Sequence, residues 1–396
     1  MSKFKISIII LSIFILSSCG YDPYEKPEEV TILLNENIFE IYDNHTSNEL
    51  ISNINTDIIS KDTTLKNDEL GTYTYTLEYL YKKKKYKYDI SYEIKDTTKP
   101  IFINANKNIT IEKGKTTDIC QKITYADNYD NLPTCNVIGI YDLNKTGTYN
   151  NLKFIIEDRS GNTDEREFNL TVVNKINNSP SYTKPKYLYI NDIKKYKNES
   201  TSIGIDVSKW QGKVDFKKVK NAGIEFVIMR MGSWRDQKDE IVMDPKFNEY
   251  YRLAKEAGLK IGVYIYNVSK DENDGIKTAK WILDNLNGKK IDFPIAYDWE
   301  DWSNFMSYQV SMHTLSMSYL AFEKTLKESG YDAMLYSSKY YLENVWMHLE
   351  NSKVWLAHYT NKTDYKGNYM MWQMTSLAKI DGITENTVDI DILYLK

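Results

Sequence analysis

From Thr201 onward the sequence alternates short apolar runs with stretches of helical period, and this alternation limits the architecture more than any other feature of the chain. The runs IGIDVS (203–208), FVIMRM (226–231), KIGVYIY (260–266), DFPIAYD (292–298), DAMLYS (332–337), KVWLAHY (353–359), MMWQM (370–374) and VDIDILY (388–394) have the length and the β-branched or aromatic content of strands. Between them, 215–222, 245–257, 276–286 and 308–329 read as helices; in the second, Phe247, Tyr250, Tyr251 and Ala254 fall at helical spacing and Gly258 closes the element. Near eight strands with helices between them predict an α/β fold, a parallel (β/α)-barrel with reduced helices over 201–396. In such a barrel, acids at the C-terminal ends of strands line the mouth.

The first half has another texture. Over roughly 28–174 apolar and polar residues alternate at period two, and Gly71 to Ile94 reads as a strand, a lysine-rich turn and a second strand. Lys82 to Lys85 could touch anionic polymers or headgroups, or be a solvated hairpin tip. Gly147-Thr148-Tyr149 repeats Gly71-Thr72-Tyr73, so two related all-β domains are expected in tandem, 28–98 and 99–174. With its Gly-x-Tyr strand and the turn Asp158-Arg159-Ser160-Gly161-Asn162, the second resembles bacterial immunoglobulin-like sandwich domains; the first is a degenerate match. Such modules imply spacers. A polar linker with Pro180 and Pro185, 175–200, is expected to act as a partly extended tether.

Residues 1–19 carry Lys3 and Lys5, an apolar run from Ile6 to Leu16, and small residues before Cys19, the shape of a secretory signal. Leu16-Ser17-Ser18-Cys19 resembles the bacterial lipobox, which implies a lipid anchor on Cys19 and an extracytoplasmic, membrane-anchored chain; the alternative is an ordinary signal with an incidental cysteine. An even pair, Cys120 and Cys135, favours a disulfide in an exported chain, with free buried thiols as the alternative. The formal net charge of −4 gives no pointer to nucleic acid.

Four acids fall at strand ends of the barrel: Asp206, Asp298, Glu300 and Asp389, with Asp391 two residues further. Asp298 and Glu300 share a face while Trp299 points the other way. Two neighbouring carboxyls against apolar walls have their ionisation pushed apart, so that one serves as acid while the other stays anionic. By spacing alone a solvated Asp/Glu pair is the commoner explanation. The larger pattern is Gly204-Ile205-Asp206-Val207-Ser208 with Trp210-Gln211-Gly212, Arg230-x-Gly232, Gly262-Val263-Tyr264, Asp298-x-Glu300, Trp355-x-Ala357-x-Tyr359, Trp372-Gln373 and Val388-Asp389. In this order it resembles glycoside hydrolase family 25, the Chalaropsis-type lysozymes. The resemblance implies a retaining muramidase in which Glu300 protonates the leaving oxygen, Asp298 orients the substrate's 2-acetamido group for neighbouring-group attack, and Asp206 and Asp389 flank them. Whether Asp389 or Asp391 faces the cleft stays open, since both lie on one face.

Aromatic residues at strand ends supply candidate sugar-stacking surfaces: Trp210, Tyr264, Tyr266, Tyr359 and Trp372, the last favoured with Tyr264 by its place in the pattern, while Trp234 is expected to reshape one cleft edge. The four histidines, His45, His313, His348 and His358, have no metal-ligand spacing, and no Gly-x-Ser-x-Gly elbow or phosphate loop occurs, so neither a metal nor a cofactor is expected. The expected partners are peptidoglycan glycan strands and, through the lipid, a membrane, with the protein a monomer. A non-catalytic wall-glycan-binding protein and an adhesin-like surface lipoprotein are the rival readings.

Overall fold

A computed structural model describes residues 21–115, 117–176, 185–235 and 238–395. The signal segment with Cys19 and the linker residues 177–184 lie outside these. Among the described residues no helix is long and apolar enough to cross a membrane. The chain divides into two compact units, 1–97 and 98–396.

In the first unit, Gly71–Tyr81 and Lys84–Lys95 pair antiparallel in unbroken register from Gly71↔Ile94 to Tyr81↔Lys84. The two-residue turn between them puts Lys82 and Lys83 at φ 47° and 66°, the positive values that match the twist of a tight hairpin. Period two is visible in burial: Leu77 and Tyr79 on one strand and Ile90, Tyr92 and Ile94 on the other are buried. Short strands at Ile38–Glu40 and Asp57–Ile58 flank the hairpin.

The second unit opens with a β-domain whose sheet runs Thr134–Ile138, Gly147–Glu157, Thr163–Val173 and Asn108–Glu112 in spatial order. Its core contains Leu152, Phe154, Ile156, Phe168, Leu170 and Val172, with the rings of Phe154 and Phe168 stacked at 4.0 Å. Cys120 and Cys135 are joined by a disulfide. The turn after Gly147–Glu157 is closed by Asp158, whose carboxylate accepts both the backbone N–H and the side-chain amide of Asn162, each at 2.8 Å.

The barrel strands are β1 (Thr201–Val207), β2 (Phe226–Arg235), β3 (Lys260–Asn267), β4 (Ile295–Trp299), β5 (Ala333–Ser338), β6 (Val354–Ala357), β7 (Met371–Lys379) and β8 (Val388–Tyr394). They close in this order, β8 pairing with both β7 and β1. The helices between them are α1 (Phe216–Asn221), α2 (Phe247–Glu256), α3 (Glu272–Leu286), α4 (Phe305–Tyr308), α5 (Met312–Glu328) and α6 (Lys339–Asn344). One expectation is corrected: β1 to β7 run parallel, but β8 is antiparallel to both neighbours. The connection 380–387 holds no helix to carry the chain back to the other end, so the strand returns directly.

Strand alternation separates two apolar layers. Phe226 and Ile228 of β2 pack inside the barrel with Met334, Trp355 and Met371, while Val227 and Met229 pack outward with the helices. Gly204 on β1 is needed by this interior, since a Cβ there would stand 2.1 Å from the Phe226 ring.

Two boundaries differ from the sequence reading. Within 175–200, Leu188–Tyr189 pairs with β7 and Ile193 is fully buried in the barrel core, so the second part of the linker belongs to the barrel. Its apolar residues Leu188, Ile190, Ile193 and Tyr196 give it a face to bury. The β-domain is also more than a tethered spacer. The first N–H groups of α5, on Met312 and His313, donate to the carbonyls of Asp127 and Asn128 at 2.8 and 3.2 Å. The Tyr340 hydroxyl donates to the Phe102 carbonyl at 2.7 Å, and Ile103 and Ala126 join the barrel's core.

Candidate active site

The mouth of the barrel is a cavity of about 320 Å³ lined by Asp206, Asp298, Glu300 and Asp389, with Arg230 as the one cation among its described lining residues. Asp206 lies near the end of β1 and faces Asp389 directly in the β1–β8 register. Because β8 runs backward, its first residues stand at the mouth, level with the last residues of its neighbours. Asp298 is on β4, level with Tyr266 of β3, and Glu300 follows just past the strand. Trp299, between them, turns outward, is fully buried, and donates its indole N–H to the Ser269 carbonyl at 3.0 Å.

Of the residues expected to hold sugar, Trp210, Tyr264, Tyr266 and Tyr359 line the cavity. Trp210 is 63% exposed, leaving a ring free to stack on a ligand at one end. Two are not in it. Trp372 sits in the core and donates to the His358 carbonyl at 2.8 Å, because its neighbour Gln373 takes the inward position and alternation turns Trp372 out. Asp391 is fully buried beneath the cavity, opposite Gly204 and Gln373, so Asp389 is the acid that faces the mouth. Trp234 is also buried, donating to Thr278 Oγ1 at 2.9 Å, and does not line the cleft.

Sequence reasoning left out three lining residues that organise the acids. Gln373 donates to Asp206 Oδ2 at 2.8 Å and accepts the hydroxyls of Tyr336 and Tyr359 at 2.9 and 3.0 Å. Arg230 is oriented by the buried Asp244, at 2.9 and 2.7 Å. Each occupies an inward strand position, a signal available in the sequence once the register is known. Beyond Glu300, Tyr336 and Tyr359 a second cavity of about 500 Å³ continues the cleft past Lys339, Glu343 and His358.

Burial is the first cause of every shift among the acids. It holds the Asp206 carboxyl well above the usual range, reinforced by Asp389 and Asp391. It raises Asp298 likewise, with Glu300 adding and Arg230 opposing. Glu300 is raised, with its desolvation at the mouth as the first cause. Asp389 is pushed up to about 7. Asp298 is opposed in its ionisation by burial and by the neighbouring Glu300 charge, and its Oδ1 is buried without a hydrogen-bond partner, so of the two carboxyls it is the one held further toward its protonated form. Such a site can deliver a proton to a ligand oxygen and stabilise positive charge beside it.

A closed barrel rich in strands, with an acid-lined mouth bordered by exposed aromatic rings, has the construction of a carbohydrate-active protein. Residues 205–383 match the family model of glycosyl hydrolases family 25, and the C-terminal region is a domain of that family. An autolytic lysozyme of Clostridium acetobutylicum is 27% identical over 190 residues, 48% of this chain and 54% of that protein. Lysozyme M1 of Streptomyces globisporus is 25% identical over 194 residues, 46% of this chain and 64% of that protein. The chain thus spans little more than half the length of the first of these relatives. Among solved structures, a family 25 glycosyl hydrolase from Bacillus anthracis aligns with a TM-score of 0.43 at 17% identity, over 50% of this chain and 92% of that one.

Proposed function

We propose that the barrel is a peptidoglycan muramidase that hydrolyses the β-1,4 bond between N-acetylmuramic acid and N-acetylglucosamine with retention. The observation that carries this reading is the neighbouring carboxyl pair Asp298 and Glu300, gathered with Asp206 and Asp389 around one cavity at the barrel mouth. Glu300, the more exposed of the two, delivers its proton to the glycosidic oxygen as the C1–O bond breaks. Asp298 orients the substrate's 2-acetamido group, whose oxygen attacks C1 to give an oxazolinium. Water then adds to C1 as the oxazolinium C1–O bond opens to restore the acetamide, and the Glu300 carboxylate takes a proton from that water. Asp206 and Asp389 keep the field negative around the cationic transition state. The names of the two lysozyme relatives support the same chemistry.

The remaining assignments belong to the same proposal. Cys19 anchors the exported chain through lipid, and the two β-domains, immunoglobulin-like in type, set the barrel off the membrane as a monomer. Digestion of purified peptidoglycan by the soluble chain from residue 21 tests the activity, with mass spectrometry of borohydride-reduced products. Fragments ending in reduced muramic acid, absent with Glu300→Gln, are expected. Fragments ending in reduced glucosamine would refute the bond assignment, and retained binding without products would leave a glycan-binding protein.

A further inference from the structure

Asp391 is the acid of the cluster that does not reach the cavity, and one of its two oxygens has no hydrogen-bond partner. Oδ1 accepts the Trp355 indole N–H at 2.9 Å, while Oδ2 is buried without a partner. The side chain is fully buried, one inward position below Asp389 on β8 and diagonal to Asp206 across the β1–β8 pair, near enough for a charge on it to oppose the ionisation of Asp206. Two carboxylates in that arrangement would place two like charges together, one of them out of reach of water. A carboxylic acid there instead gives Oδ2 a proton, and that proton has the Asp206 carboxyl as acceptor. The other side of Asp206 is held by Gln373 at 2.8 Å.

We propose that Asp206 and Asp391 hold one proton between them, and that Asp391 is a positioning residue that fixes the Asp206 carboxyl toward the cavity. The groups facing this pair are Asp389 on β8, Asp298 on β4, Tyr264 on β3, Tyr336 on β5 and Tyr359 just past β6. These acids and tyrosines oppose a second negative charge. Burial and Asp389 both hold the Asp391 carboxyl well above its ordinary range. The positioning role rests on the muramidase reading, whereas the shared proton does not.

Asp391→Asn and Asp391→Leu in the otherwise intact chain test both parts. Asparagine can still accept from Trp355 and supplies a permanent N–H toward Asp206. A carboxyl raised in the folded state binds its proton more tightly there than when unfolded, so it lowers stability as pH rises from the ordinary carboxylate range through the raised value. Asp391→Asn removes that loss: its melting temperature should exceed that of the wild type at pH 8, with the gap closing toward pH 4. A gap independent of pH would refute the shared proton. On peptidoglycan, Asn should keep kcat within about threefold while Leu loses on the order of 10–100-fold, as expected for deleting hydrogen bonds to charged or buried groups. A folded Asn variant as inactive as Leu would refute the positioning role. If the wild type itself releases no product, the melting comparison still decides the proton, and the failure falls on the muramidase reading.

Discussion

Gln373 Nε2 donates to Asp206 Oδ2 at 2.8 Å, so the orientation of an acid on the first barrel strand is set from the seventh. The same amide accepts from Tyr336 and Tyr359, leaving it no freedom to rotate. Gln373→Leu removes a hydrogen bond to an acid and the acceptor for two hydroxyls. A loss of about 1.5–3 kcal/mol, on the order of 10–100-fold in kcat/KM, is expected in a muropeptide-release assay.

Asp389, pushed up to about 7 by its burial, should appear in the pH profile. As pH rises through that value Asp389 gains its charge, so kcat/KM is expected to show an inflection near neutrality. Asp389→Asn should erase the inflection while leaving the melting temperature intact or raised at pH 8. An unchanged profile would exclude Asp389 as the titrating group.

Glu300→Gln and Asp298→Asn are both isosteric, and each removes one carboxyl of the neighbouring pair at the mouth. Turnover should fall by at least about 100-fold in each, the scale of general acid–base catalysis. Binding of glycan chains, measured by co-sedimentation with insoluble peptidoglycan, should persist in both.

The disulfide Cys120–Cys135 closes a loop with a sequence separation of 15. Replacing both cysteines by serine should destabilise the β-domain by roughly 3 kcal/mol in the chain-entropy model. Because two carbonyls of that domain accept the first N–H groups of α5, the loss should be felt in the barrel as well. Calorimetry of 98–396 is expected to show one transition that moves down as a whole; two separating transitions would show the contact to be weak.

The eight strand runs were legible because each pairs β-branched content with a length of a few residues, and the outward turn of Trp299 followed from alternation alone. The direction of β8 was not, since its apolar pattern is the same read either way; only the missing helix in 380–387 distinguishes the two. Trp372 lies outside the cavity because its neighbour Gln373, which shares the Trp-Gln pair of the sequence pattern, holds the inward position. The docking of the β-domain on α5 depends on backbone carbonyls of Asp127 and Asn128, which carry no side-chain signature.

The reversed last strand ties the acid set to the order in which the chain is made. β8 supplies Asp389 and, in the same pairing with β1 and β7, shuts the barrel. A nascent polypeptide stopped between residues 300 and 388 therefore has Asp298 and Glu300 in hand but an open sheet around them. The fourth acid of the cavity and the closure of the barrel therefore arrive together, with the last of the eight strands.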